Sequence, residues 1–221
     1  MSGLYGHRAK IMLIATVFIL SACESTYYDT MEKVGIHKRE ILIDRIEAAQ
    51  ESQETGQQQF ENALQQFRYV VNFDGGELET LYNKLNDEYK ASINATETIH
   101  DRIDSVESVA EALFDEWTTE LTLYTNANLR RDSARQLTDT RRRYERLMAA
   151  MRRTEQTIKP VLASLQDHVL YLKHNLNSRA IASLKGELAT VDADVGTLIN
   201  AMQKAIDESR AFVKDLRGND A

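Results

Sequence analysis

The chain has 221 residues, 27 of them Lys or Arg and 34 Asp or Glu, giving a net charge of −7. That acidic balance argues against a nucleic-acid protein, whose footprint is a basic domain. One proline, nine glycines, 28% charged and 7% aromatic residues describe long helices rather than a compact enzyme. The length suits one domain, and the single cysteine, Cys23, excludes an intramolecular disulfide.

The N-terminus reads as a secretory signal. His7, Arg8 and Lys10 precede a ten-residue apolar run, Ile11 to Leu20, followed by small residues before a cut site. The run is too short for a bilayer span, which takes about 20 residues. Leu20-Ser21-Ala22-Cys23 resembles a bacterial lipoprotein box. That resemblance implies cleavage between Ala22 and Cys23 and a multiply acylated Cys23 thiol, palmitate among its acyl chains. An unmodified lone thiol is unusual in an exported protein, and several acyl chains make an attachment durable where one is marginal. In Gram-negative systems, Glu24 rather than Asp after the cysteine implies passage to the outer membrane, facing the periplasm. Removing residues 1–22, with Arg8 and Lys10, leaves 199 residues with 25 basic against 34 acidic side chains, a net charge of −9. The next stretch, 23–28, is a short lipidated tether. Its Tyr27 and Tyr28 suit either the headgroup region, where amphipathic rings settle, or the base of the fold.

Beyond the tether the chain is expected to be all-α, a single domain over 29–217. The first helix spans about 29–72. Leu42, Ile46, Ala49, Gln53, Gly56, Phe60, Ala63, Phe67 and Val70 alternate steps of four and three, the seam of a coiled coil. Ala49, Gly56 and Ala63 fall seven apart and invite close approach by a neighbour, with Phe60 and Phe67 filling the space between. Asn72-Phe73-Asp74-Gly75-Gly76 is a turn, and a connection this short makes the second helix an antiparallel neighbour.

The second helix spans about 77–124, with a seam from Leu78 and Tyr82 through Leu85, Tyr89, Ser92, Thr96, Ile99, Ile103, Val106, Ala110, Leu113 and Trp117 to Tyr124. Ser92 and Thr96 mark a wetter layer. At Thr125-Asn126-Ala127-Asn128 the seam slips by one residue. A turn with Asp132 or Ser133 as the next cap is the preferred explanation, and a local stutter in one continuous helix the alternative.

The third helix, about 133–176, carries Leu137, Tyr144, Leu147, Met151, Ile158, Val161, Leu165, His168 and Leu172, with Pro160 inside it. Proline removes an amide bond and clashes one turn back, so a kink is expected near Ile158. A corner at Asn175-Leu176-Asn177-Ser178 leads into the fourth helix, about 178–217, with Ile181, Leu184, Leu188, Val191, Val195, Leu198, Met202, Ser209, Val213 and Leu216. Residues 218–221 are expected to be a disordered tail. Four helices of similar length with short corners make an elongated up-down-up-down bundle. The anchor, second corner and C-terminus then share one end, and the first and third corners the other. An isolated hairpin completing its core by dimerising keeps a homo-oligomer open.

Charge is segregated along the chain. Residues 77–124 hold twelve acidic and three basic side chains, and residues 130–159 ten basic and four acidic ones around Arg141-Arg142-Arg143. Either these helices face and neutralise each other, or the arginines form a cationic surface for anionic lipid or an acidic partner. Three consecutive arginines span about 200° of a helix, so they cannot all face one neighbour. Glu97-Thr98-Ile99-His100 is one Glu-x-x-His motif without the second that di-iron bundles use, and no metal site is expected. A phosphate-binding Gly-x-x-x-x-Gly-Lys loop and a Gly-x-Ser-x-Gly elbow are absent from the sequence.

Three segments point to one family: Met31 to Arg39, Pro160-Val161-Leu162, and Tyr171-Leu172-Lys173-His174-Asn175-Leu176-Asn177 followed by Ala180-Ile181. Together they resemble a Gram-negative lipoprotein family known only as a domain of unknown function, over essentially the whole mature chain. The resemblance supports location and boundaries and implies no chemistry. At the polar corner, Lys173, His174 and Asn175 serve either as caps or as a partner contact. The expected protein is a lipid-anchored, non-enzymatic envelope scaffold with no cofactor beyond the lipid on Cys23. It would bind the membrane and an envelope protein, and no nucleic acid. The alternative is a lipid- or amphiphile-binding module in which Arg141, Arg142 and Arg143 hold anionic headgroups.

Overall fold

A computed structural model describes residues 37–73 and 75–218. Four helices account for nearly all of them: α1 (Lys38–Val71), α2 (Leu78–Glu120), α3 (Ala127–His174) and α4 (Ser178–Gly218). At about 1.5 Å per residue, the 34 to 48 residues of each helix make rods of roughly 50–70 Å. The helices close a ring in which α1 packs on α2 and α4, and α3 completes the circle against both. Cross-helix pairs fix the directions. Lys38 meets Glu116 at 3.2 Å and Gln59 meets Glu88 at 2.7 Å, so α1 and α2 are antiparallel. Glu47 meets Arg217 at 2.9 Å and Arg68 meets Asp192 at 2.8 Å, which makes α4 antiparallel to α1. The result is the elongated up-down-up-down bundle.

All nine seam residues expected on α1 are buried. Gly56 permits the closest approach, since a Cβ there would lie 2.7 Å from Ile99 Cδ1 and 3.2 Å from Met202 Cε. The diagonal helices meet through the core, where Phe67 stacks on His168 with ring centroids 4.6 Å apart. The polar layer is wider than the sequence suggested. Ser92, Thr154 and Ser209 are buried, and each hydroxyl donates to the carbonyl one turn back. Gln53 is fully buried, with neither end of its amide hydrogen-bonded among the described residues, a cost of about 1–3 kcal/mol. A register-setting polar position inside a coiled-coil seam has this cost in general.

The corners explain where the helices stop. Asn72 closes α1 by donating its side-chain amide to Arg68 O at 2.9 Å, and Gly75 and Gly76 then take positive φ of 138° and 123°, which side chains disfavour. Between α2 and α3 the chain turns, as the slipped seam suggested, but earlier than expected. Asn126 is the cap, accepting from the amides of Asn128 and Leu129, so α3 begins six residues before 133. Ser133 is not a cap. It lies buried and accepts the Trp117 indole N–H at 2.8 Å. Tyr124, assigned to the α2 seam, is exposed beyond the end of that helix.

α3 runs through Pro160 without interruption. Pro160 is exposed, as is Gln156, whose carbonyl loses the amide of residue 160 and lies where water can satisfy it. Asn175 closes α3 by donating its side-chain amide to Tyr171 O at 2.9 Å, and Asn177 opens α4 by accepting from the amides of Arg179 and Ala180, both at 3.1 Å. α4 reaches Gly218, one residue into the expected tail. Residues 29–36, the start of the expected first helix, and the tail beyond 218 lie outside the described residues.

Candidate interaction surfaces

The three consecutive arginines part company on the folded chain. Arg141 turns to α2, where it donates to Phe114 O at 3.2 Å and Thr118 Oγ1 at 3.0 Å and covers the Phe114 ring at 5.2 Å. Arg142 pairs with Asp139 of its own helix. Arg143 reaches toward Asp215 of α4 at 3.6 Å. The structure therefore divides them among two neighbours and solvent, as a 100° step per residue demands.

The α2–α3 charge complementarity concentrates elsewhere. Arg152 donates to Asp104 at 2.9 Å and to Glu155 at 3.0 Å, and contacts Glu107. Burial opposes its charge, but the hydrogen bonds it donates to Glu155, Glu107 and Asp104 outweigh it and hold the guanidinium protonated. His100 places Nδ1 2.6 Å from Glu155 and Nε2 3.4 Å from Asp104. The Glu155 hydrogen bond, then the Asp104 charge, raises its pKa above 6.5. His168 goes the other way, lowered chiefly by burial, with Glu187 and Asp167 opposing. Tyr144, packed against Phe114 at 5.3 Å, has its phenol pKa pushed up by burial. Among the described residues no group of three or more His, Cys, Asp or Glu is placed to hold a metal.

The two histidines make opposite contributions to stability. That of His100 is complete below pH 6.5 and is lost as pH rises through its raised pKa. That of neutral His168 is lost as pH falls below 6.5 toward its depressed pKa. NMR titration is expected to place the two on opposite sides of 6.5. Glu155→Gln should bring His100 down toward 6.5 and leave His168 where it was.

Between α3 and α4 lies a shallow groove of about 750 Å³, lined by Ala149, Ala150 and Ala201 and edged by Arg146, Arg153 and Lys204. Those three cations have no ion-pair partner within 4.0 Å among the described residues, and Glu208 is the acidic residue lining the groove. The α3 cations of this groove lie roughly one to three turns beyond Arg142.

The ends of the bundle differ from its sides. Among the described residues seven large apolar side chains are exposed: Tyr69, Leu123, Tyr124, Leu129, Leu170, Tyr171 and Leu176. All seven lie in a terminal turn or a corner. Tyr69, Leu170, Tyr171 and Leu176 share the end that carries the first and third corners, with Lys173 and His174 exposed beside them and Asn175 half-buried as the cap. Leu123, Tyr124 and Leu129 share the opposite end, where α1 begins. Leu123, Tyr124 and Leu176 lie in corners, which have no helical repeat, whereas Tyr69, Leu129, Leu170 and Tyr171 lie in helices but off their seams. Ala22 and Cys23 lie outside the described residues. Among the described residues no helix is long and apolar enough to cross a membrane.

These features define an all-α antiparallel bundle with polar sides and apolar ends. The chain belongs to the family described as "Protein of unknown function (DUF2959)", whose model matches residues 27–216. No curated protein and no solved structure matches it.

Proposed function

We propose that this chain is a lipid-anchored lipoprotein of the outer membrane, facing the periplasm, and acts as a non-enzymatic scaffold. Cleavage between Ala22 and Cys23 and acylation of Cys23 would hold the start of α1 at the membrane. The first and third corners then stand roughly 50–70 Å away. The observation that carries this reading is the exposure of four large apolar side chains at that far tip, Tyr69 by the first corner and Leu170, Tyr171 and Leu176 by the third. Rigid, exposed aromatic and aliphatic side chains ringed by polar ones mark protein contacts. Asn175 and Asn177 cap the two helices that meet at the third corner.

A photoreactive residue at Tyr171 or Leu176 in living cells tests this. A discrete protein adduct, reduced when Cys23→Ala frees the chain from the membrane, is the expected result. An adduct with a second copy of the chain would make the tip a self-association surface. Capture of nothing at either position would contradict the scaffold reading.

A second reading, an anionic-amphiphile module, has its support in the unpaired Arg146, Arg153 and Lys204 along the α3–α4 groove. Phospholipid co-purifying with the Cys23→Ala form, and lost on Arg153→Glu with Lys204→Glu, would favour it.

A further inference from the structure

We infer that the α2–α3 corner is a second membrane contact, a foot that seats the base of the bundle on the lipid surface. The inference rests on the proposed anchoring through Cys23 and says how the anchored bundle is held.

Leu123 is 74% exposed, Leu129 56% and Tyr124 39%. A corner of this length needs none of them to be apolar, and Thr122, Thr125, Asn126 and Asn128 show the residues that ordinarily serve. Nor is the corner loose, which would let these side chains fold back. Leu121 N donates to Trp117 O at 3.1 Å, Thr122 N to Thr119 O at 3.0 Å and Leu123 N to Glu120 O at 2.9 Å, and Asn126 then caps α3. Leu121 packs against the core while Leu123 points away from it. The corner is thus a fixed platform with an inner and an outer face.

Three observations select a lipid surface as the occupant. First, α1 starts at this end, shown by Lys38 beside Glu116, and residues 1–36 precede it. The segment 24–36 spans at most roughly 45 Å even when fully extended, so an anchor at Cys23 keeps this end near the bilayer. Second, the composition matches an interface: two leucines, a tyrosine whose ring and hydroxyl suit the headgroup level, and Arg130 and Arg131 directly after Leu129. Arg131 is turned to Asn128 and Arg130 has no ion-pair partner within 4.0 Å among the described residues. Such cations are attracted to anionic headgroups, and the nearest acid in sequence, Asp132, is paired with Arg135 of its own helix. Third, the exposed apolar residues at this corner are three, Leu123, Tyr124 and Leu129, and so small an apolar contact becomes effective when a lipid chain already supplies the first attachment.

The test uses the full chain in a Gram-negative host, with benzoylphenylalanine at Leu123 and, for reference, at Glu97 on the exposed middle of α2. After irradiation of membranes, phospholipid adducts are expected at 123, about tenfold above those at 97. If the protein is acylated and membrane-bound but position 123 yields no lipid adduct, or yields a protein adduct, the foot is overturned and the anchor stands. If the chain is soluble and its Cys23 thiol reacts with maleimide, the anchoring reading has failed, and the foot is judged alone. That judgement uses flotation of the soluble chain with vesicles of phosphatidylethanolamine containing a minority of phosphatidylglycerol. Binding weakened about tenfold by Leu123→Ser with Leu129→Ser, at unchanged thermal stability, sustains it; no binding overturns it.

Discussion

Phe60→Ala is expected to lower the stability of the bundle by about 3–5 kcal/mol. The ring is fully buried midway along α1, on the seam where Ala49, Gly56 and Ala63 alternate with Phe60 and Phe67. Those small residues let α2 and α4 approach closely, and the phenylalanines fill what the small residues leave. Helices this long cannot collapse locally into the space of one missing ring without disturbing several turns, so both the transfer and the cavity terms are expected in full. Urea denaturation of the Cys23→Ala form checks this. A loss below about 1 kcal/mol would mean that Phe60 faces a loose or hydrated layer.

The second large effect is at Gly56. Gly56→Leu is expected to cost more than about 3 kcal/mol, because a Cβ alone already meets Ile99 Cδ1 at 2.7 Å and overpacking of a full side chain typically costs about 1–3 kcal/mol or more. Gly56→Ala is milder: the atom it meets is the end of a flexible side chain, and alanine regains about 1 kcal/mol of helix propensity. A net loss of roughly 0–2 kcal/mol follows. Gly196 on α4, with nothing within 4 Å of an added Cβ, supplies the control. Gly196→Ala should stabilise by about 1 kcal/mol. If Gly56→Leu were tolerated as well as Gly196→Ala, α1 would not pack against α2 and α4 as described.

Much of this fold was legible because a coiled-coil seam is a one-dimensional signal. Each seam residue from Leu42 to Val70 is buried, as are Ile181, Leu184 and Val191 to Leu216 at the expected steps on α4. What the seams missed is the second buried row: Val109 and Phe114 on α2, Met148 and Val169 on α3, Ala205, Ile206 and Phe212 on α4. A helix in a four-membered ring touches two neighbours, so its buried face is wider than one seam. The start of α3 was misplaced because Ser133 looks like a cap in sequence, whereas its hydroxyl serves the Trp117 indole across a helix interface. No local pattern carries that information.

The surfaces were less legible. Arg141 to Arg143 read either as facing an acidic neighbour or as a cationic surface, and only their dispersal over about 200° of the helix was legible. The cations that do line up, Arg146 and Arg153, are seven apart, and their partner in the groove, Lys204, comes from another helix. The polar corner at Lys173, His174 and Asn175 was found, but the exposure of Leu170, Tyr171 and Leu176 around it was not.

The central claim is that the bundle is held at one end by Cys23, which makes the other end its working surface. Mass spectrometry of the N-terminal peptide from the native membrane fraction tests it most directly. The expected result is a chain beginning at Cys23 and carrying acyl chains on that residue. A chain that keeps Ala22, or begins at Cys23 with a free thiol, would contradict it, and the tip would lose its claim to be the end that faces a partner.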